Sequence, residues 1–282
     1  MRVCSGVVQA LALDHANLEP VLRLAAWAAR ADYGWPLEVF TVNYDLLIET
    51  ALERLRVTYF DGFVGSLEGR FQTDLVESRP DSTATWLPAS FVRLWKLHGS
   101  VNWAWEDDPR REVVRLGGPV DGGQAAAIYP SDTKYDESRR VPFVVLQDRL
   151  RRALQQPESL ILISGYSFSD EHLNEMLFDA ATHHPRSELT AFCYSTIPDV
   201  LAERAASTPN LQAIGKTEAI VGGVRGGWKA PADPAPDDVW RDDALALPDF
   251  AALAQYLSRS LPQESELDRR LREILAGGTS GA

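Results

Sequence analysis

The order of patterns between residues 143 and 215 restricts the fold more than any other feature. "FVVLQDRLRRALQQ" has helical spacing, "SLILISGY" reads as a buried strand, "SDEHLNEMLFDAATHH" returns to helix and "ELTAFCYS" to strand. A helix around "IPDVLAERAAS" and a strand around "NLQAIG" complete the series. Strands that alternate with helices demand crossover connections, and such connections build a parallel sheet flanked by helices. The expected fold class is therefore α/β, a Rossmann-like parallel sheet with helices on both faces.

The N-terminal part fits the same scheme. Residues 17–33 carry Leu18, Val21, Leu22, Leu24, Ala25 and Ala28 at helical spacing, with Asn17 as N-cap, until Gly34 and Pro36 break the pattern. "LEVFTV" then reads as strand and "DLLIETALERL" as helix. From Tyr59 to about Pro142 glycines and prolines interrupt short apolar runs, which predicts an irregular insertion of loops and small hairpins. Within it "FVRLWKLHGSVNWAWE" holds a strong strand pattern ending at His98 and Gly99. The expected division is 1–228 as one domain with 59–142 inserted, 229–247 as a Pro-rich acidic connector, and 248–282 as closing helices and a tail.

Composition excludes several functions. With 28 Lys plus Arg against 40 Asp plus Glu, the formal charge is −12, so the basic footprint needed for a nucleic-acid backbone is missing. Cys4 and Cys193 are the only cysteines, which rules out a disulfide framework and a Cys-x-x-Cys zinc pair, and a reducing, cytoplasmic setting is expected. His15, His172, His183 and His184 have no metal-binding spacing, so no metal is expected. The opening "MRVCSGVVQALAL" faintly resembles a signal peptide, but Ser5 and Gln9 interrupt its apolar run. No apolar stretch approaches the roughly 20 residues that span a bilayer.

In open parallel sheets, ligands bind at the carboxyl ends of strands, where loops converge and helix N-termini offer free N–H groups. Asn43, Tyr44 and Asp45 follow "LEVFTV", His98 and Gly99 follow "VRLWKL", and Gly165 to Asp170 follow "SLILIS". Each has a plainer reading too: Asn and Asp are preferred helix caps, a histidine at a strand end can be structural, and Ser169 or Asp170 can simply cap the next helix.

Together "TVNYDLLIE", "KLHGSVNW" and "LISGYSFSDEHLNEML" resemble the sirtuin-like domains of the silent-information-regulator type found in bacterial defence proteins, from about Leu37 to the connector near Lys229. The resemblance implies a Rossmann-like NAD-binding fold. It places Asn43, Asp45 and His98 around the nicotinamide ribose, with Asn43 and His98 catalytic, and brings Gly165 and Ser167 toward the ribose and phosphates of the adenosine half. Asp170 matches the pattern as a further binding residue.

Residue chemistry agrees. Cleavage of the nicotinamide–ribose bond passes through an oxocarbenium-like state and needs a base more than an acid, because the leaving group is already cationic. A neutral imidazole can accept a proton from water or a ribose hydroxyl. An Asn amide can orient that water or hydroxyl, a carboxylate such as Asp45 can hold the carboxamide, and Gly165 permits close backbone approach.

The implied activity is NAD hydrolysis to nicotinamide and ADP-ribose in antiphage defence, with NAD as ligand and a homo-oligomer or partner defence protein as company. A non-catalytic NAD or ADP-ribose sensor is the alternative. Protein deacylation is disfavoured, because the deacylases of this superfamily carry a four-cysteine zinc module. A remnant acting through a partner chain is the last option. The family's first strand leads into a "GAGxS"-type phosphate loop that nothing upstream of Asn43 matches, "VCSGV" with Gly6 being a poor substitute. A truncated gene product, a piece of a split protein or a degenerate relative is thus expected, with neighbouring strand edges left exposed.

Overall fold

The computed structural model describes residues 16–30, 36–78, 91–106, 112–120, 125–127, 140–259 and 266–277. Gly6 and its "VCSGV" segment, His15, Cys4 and Gly34 lie outside the described residues. The chain forms two compact units, Met1–Leu150 with Gln263–Ala282, and Arg151–Pro262.

The first unit opens with α1 (Glu19–Arg30), which buries Val21, Leu22, Ala25, Ala26, Ala28 and Ala29 along one face. The Asn17 carboxamide oxygen accepts the Glu19 N–H at 3.0 Å, a local bond that starts the helix in the way its side chain suggests. Strand β1 (Leu37–Thr41) leads to α2 (Leu47–Arg54) and β2 (Tyr59–Phe60), and β5 (Val92–Lys96) inserts between β1 and β2 to give the parallel order β1-β5-β2. Every residue of β5 is buried, as expected for a strand covered on both faces.

The described residues between 59 and 127 include five strands that pair into one sheet. Strands β3 (Phe63–Val64), β4 (Glu68–Phe71), β6 (Gly99–Trp105), β7 (Val113–Leu116) and β8 (Ala125–Ala127) pair in the order β3-β4-β7-β6-β8, antiparallel throughout. The short helix α3 (Thr73–Glu77) follows β4. Trp103, 1% exposed, packs its ring 4.8 Å from Phe63 and 6.2 Å from Phe143. Phe143 begins α4 (Phe143–Leu154).

In the second unit, β9 (Leu160–Ser164), β10 (Glu188–Cys193) and β11 (Leu211–Gly215) run parallel, joined by α5 (Glu171–His183) and α6 (Asp199–Ser207). β12 (Glu218–Val221) and β13 (Val224–Gly227) extend the sheet antiparallel in the order β13-β12-β11-β10-β9. The hairpin β14 (Trp240–Arg241) and β15 (Ala244–Leu245) and then α7 (Phe250–Arg259) close this unit, whereas α8 (Glu266–Gly277) belongs to the first and packs on α1. The acidic connector is anchored: Asp238, 3% exposed, accepts Nη2 of Arg259 at 3.0 Å.

The two units share one trait. Among the described residues β1 pairs only with β5, and β9 pairs only with β10, so each is an edge strand. Leu160 of β9 is 66% exposed, although its apolar run has the composition of a strand buried on both faces.

Candidate functional site

The parallel register of β1 and β5 sets Thr41 opposite Lys96. Both strands therefore end at one level, and the loops after them leave side by side. Three bonds continue the pairing beyond the strands. The Leu97 N–H donates to the Thr41 carbonyl at 2.9 Å, the Val101 N–H donates to the Tyr44 carbonyl at 2.9 Å, and the Ser100 hydroxyl reaches the same carbonyl at 3.3 Å. The loop carrying Asn43 and Asp45 is thus stitched to the turn carrying His98.

Within this group the residues differ in freedom. Asn43 is exposed, and its own N–H donates to the Thr41 hydroxyl at 3.1 Å. Asp45 Oδ1 accepts the Leu47 N–H at 3.0 Å, so one carboxylate oxygen helps to begin α2 while the carboxylate retains acceptor capacity. His98 is half-buried in the two-residue turn between β5 and β6. Gly99 follows at φ +92°, and a Cβ there would lie 2.4 Å from the Ala126 carbonyl, so only glycine lets β6 start at this point. Burial pushes the Tyr44 phenol up.

Beneath the loop lie residues that the motif reading passed over. Lys96, 2% exposed, donates to the Asp45 carbonyl and, at 2.9 Å, to Glu49 Oε1 on α2. Burial pushes the Glu49 carboxyl up, against the pull of the Lys96 ammonium. A lysine between Trp95 and Leu97 in an apolar strand was the available signal, since a cation there needs a partner.

The second unit builds its own group after β9. Gly165 takes φ +68°, and a Cβ placed on it would meet nothing within 4 Å, so the backbone is open to approach. The neighbouring Ser164 hydroxyl is buried without a hydrogen-bond partner among the described residues. Gly165 and Ser167 are exposed, with Ser167 Oγ 2.8 Å from Ser169 Oγ. Asp170 is the N-cap of α5, its Oδ1 accepting the Leu173 N–H at 3.1 Å. The loop is held from inside by buried Asn174, which donates to the Phe168 carbonyl at 2.8 Å and accepts from the Tyr166 hydroxyl at 2.9 Å. Phe168 stacks on Phe178 with ring centroids 6.3 Å apart.

Parallel strands with interleaved helices, and polar loops at the strands' carboxyl ends, define an α/β protein of the Rossmann-like type. The family model for the SIR2-like domain matches residues 37–214, and the chain belongs to that family. Its function is accordingly of the NAD-related kind that characterises SIR2-like domains. No curated protein matches the chain. Among the described residues no cluster of three or more His, Cys, Asp or Glu could hold a metal ion, and no helix is long and apolar enough to cross a membrane.

Proposed function

We propose that the chain hydrolyses NAD at the nicotinamide–ribose bond, releasing nicotinamide and ADP-ribose. The observation that carries this reading is the β1–β5 register, with its continuation through Leu97, Val101 and Ser100, because it holds an amide-bearing loop beside an imidazole-bearing turn. In this reading His98 accepts the proton from the attacking water or a ribose hydroxyl. Asn43, exposed at the same strand ends, orients that group through its carboxamide. Asp45 uses its remaining acceptor capacity on the nicotinamide carboxamide.

Family resemblance assigns Gly165 and Ser167 to the ribose and phosphates of the adenosine half. The open approach to Gly165 and the Ser164 hydroxyl beside it, which has no partner among the described residues, support a ligand at that loop. Asp170 has a sufficient role as a helix cap, so its carboxylate is the weakest member of the binding set. The defence setting is proposed on the same resemblance, and a reducing cytoplasm on the presence of only two cysteines.

The test is release of nicotinamide from NAD by the purified full chain, followed by chromatography, in wild type, His98→Ala and Asn43→Ala. Loss of a general base costs roughly 10²- to 10⁴-fold, and the His98 variant should fall in that range while remaining folded. Wild-type turnover unaltered in both variants overturns the assignment. Calorimetric binding of NAD without any product turns the reading to a sensor module.

A further inference from the structure

Lys96 does something its neighbours in β5 do not. It ends a strand in which all residues are buried, and its ammonium sits 2% exposed beneath the loop between β1 and α2. There it donates to the backbone carbonyl of Asp45 and to the Glu49 carboxylate. Glu49 lies in the first turn of α2, and its side chain is only 14% exposed. A single cation thus grips both the loop that carries Asn43 and the helix that follows it, from a strand position two residues before His98.

An apolar side chain would fill this place at less cost, since replacing a buried ion pair by well-packed apolar groups is often neutral or stabilising. What an apolar group cannot do is hold the Asp45 carbonyl. The bonds to the Thr41 and Tyr44 carbonyls hold the loop from β5 and β6 as far as residue 44, and Asp45 Oδ1 ties its end to the Leu47 N–H of α2. Lys96 ties that same end to β5 through the Asp45 carbonyl.

We propose that Lys96 is a positioning residue, which sets the conformation of the Asn43–Asp45 loop relative to His98 through its bond to the Asp45 carbonyl, with Glu49 as the partner that aims it. The proposal rests on the NAD-hydrolase reading for its effect on rate, but not for its effect on the loop.

Two variants of the full chain separate this from an ordinary structural ion pair. Lys96→Met with Glu49→Gln removes both charges, and Lys96→Glu with Glu49→Lys exchanges them. The exchanged pair restores attraction, yet a glutamate at 96 has no donor for the Asp45 carbonyl. Displacements of about 1 Å in reacting groups can lower rates roughly 100-fold. Both variants should therefore lose about 10- to 100-fold in kcat with KM changed less than about threefold, while the exchanged pair melts close to wild type.

Amide hydrogen exchange at residues 43–47, followed by mass spectrometry, gives a readout independent of turnover. It should quicken about tenfold or more in both variants, with β1 and β5 unchanged. If the exchanged pair recovers both kcat and loop protection, Lys96 is only half of an ion pair and the proposal is overturned. If wild type releases no nicotinamide, the hydrolase reading fails, and unaltered loop exchange in both variants is then what overturns the positioning role.

Discussion

The indole N–H of Trp95 donates to Oε2 of Glu38 at 2.8 Å, joining the buried centre of β5 to β1. Arg149 of α4 binds the same carboxylate through Nε at 2.8 Å and through Nη2. Glu38 thus satisfies a buried indole and a buried guanidinium at once. Glu38→Leu should destabilise the chain by roughly 3–5 kcal/mol, the usual cost of leaving a buried charge unpaired. Glu38→Gln keeps an acceptor for Trp95 and should lose less. Urea midpoints at constant m-value measure both.

Two glycines, one in each unit, should respond differently to alanine. At Gly99 the new Cβ would collide with the Ala126 carbonyl, so Gly99→Ala must displace the start of β6 and the His98 turn. At Gly165 there is open space, and only the positive φ is penalised, by roughly 1–2 kcal/mol. Thermal melts should therefore place Gly99→Ala well below Gly165→Ala. Calorimetric NAD affinity should fall in Gly165→Ala if its open backbone is where ligand approaches.

Asp170 can be divided into its two candidate roles. Asn caps helices about as well as Asp, so Asp170→Asn should leave the melting temperature unchanged, whereas Asp170→Ala should cost about 1 kcal/mol. A reduced NAD affinity in Asp170→Asn would show that the carboxylate also serves the ligand. Unchanged affinity would leave it a cap.

Cys193 ends β10 at 6% exposure, and burial pushes its thiol up to about 11. Because the folded pKa is raised, the stability it contributes is fully present below the unfolded thiol's pKa and is lost as pH rises toward 11. At pH 8 the native thiol should alkylate with iodoacetamide far more slowly than in urea, as peptide mapping at Cys193 would show. Equal rates in the two conditions would contradict this environment.

Sequence patterns revealed the elements that carry an apolar run between clear turn and cap signals. The apolar runs of β9 and β10, and the cap at Asp170, announce strand, turn and helix directly. Strand β5, which ends two residues before His98, was legible because the His98-Gly99 pair interrupts an apolar run. The five-stranded antiparallel sheet was not, because β3 has two residues, β8 has three, and β4 finds β7 far along the chain. Periodicity is a local signal, and pairing between distant short strands leaves little trace in it. The Lys96 bond to the Asp45 carbonyl was hidden for a related reason: a main-chain acceptor has no sequence signature.

The pairing of β1 with β5 also governs when the chain can become competent. Strands so far apart in sequence must close a long loop before any of their bonds form, and such non-local topology folds slowly. The loop of Asn43 and the turn of His98 are therefore set side by side only in the finished unit, and whatever role is proposed for them waits on that closure.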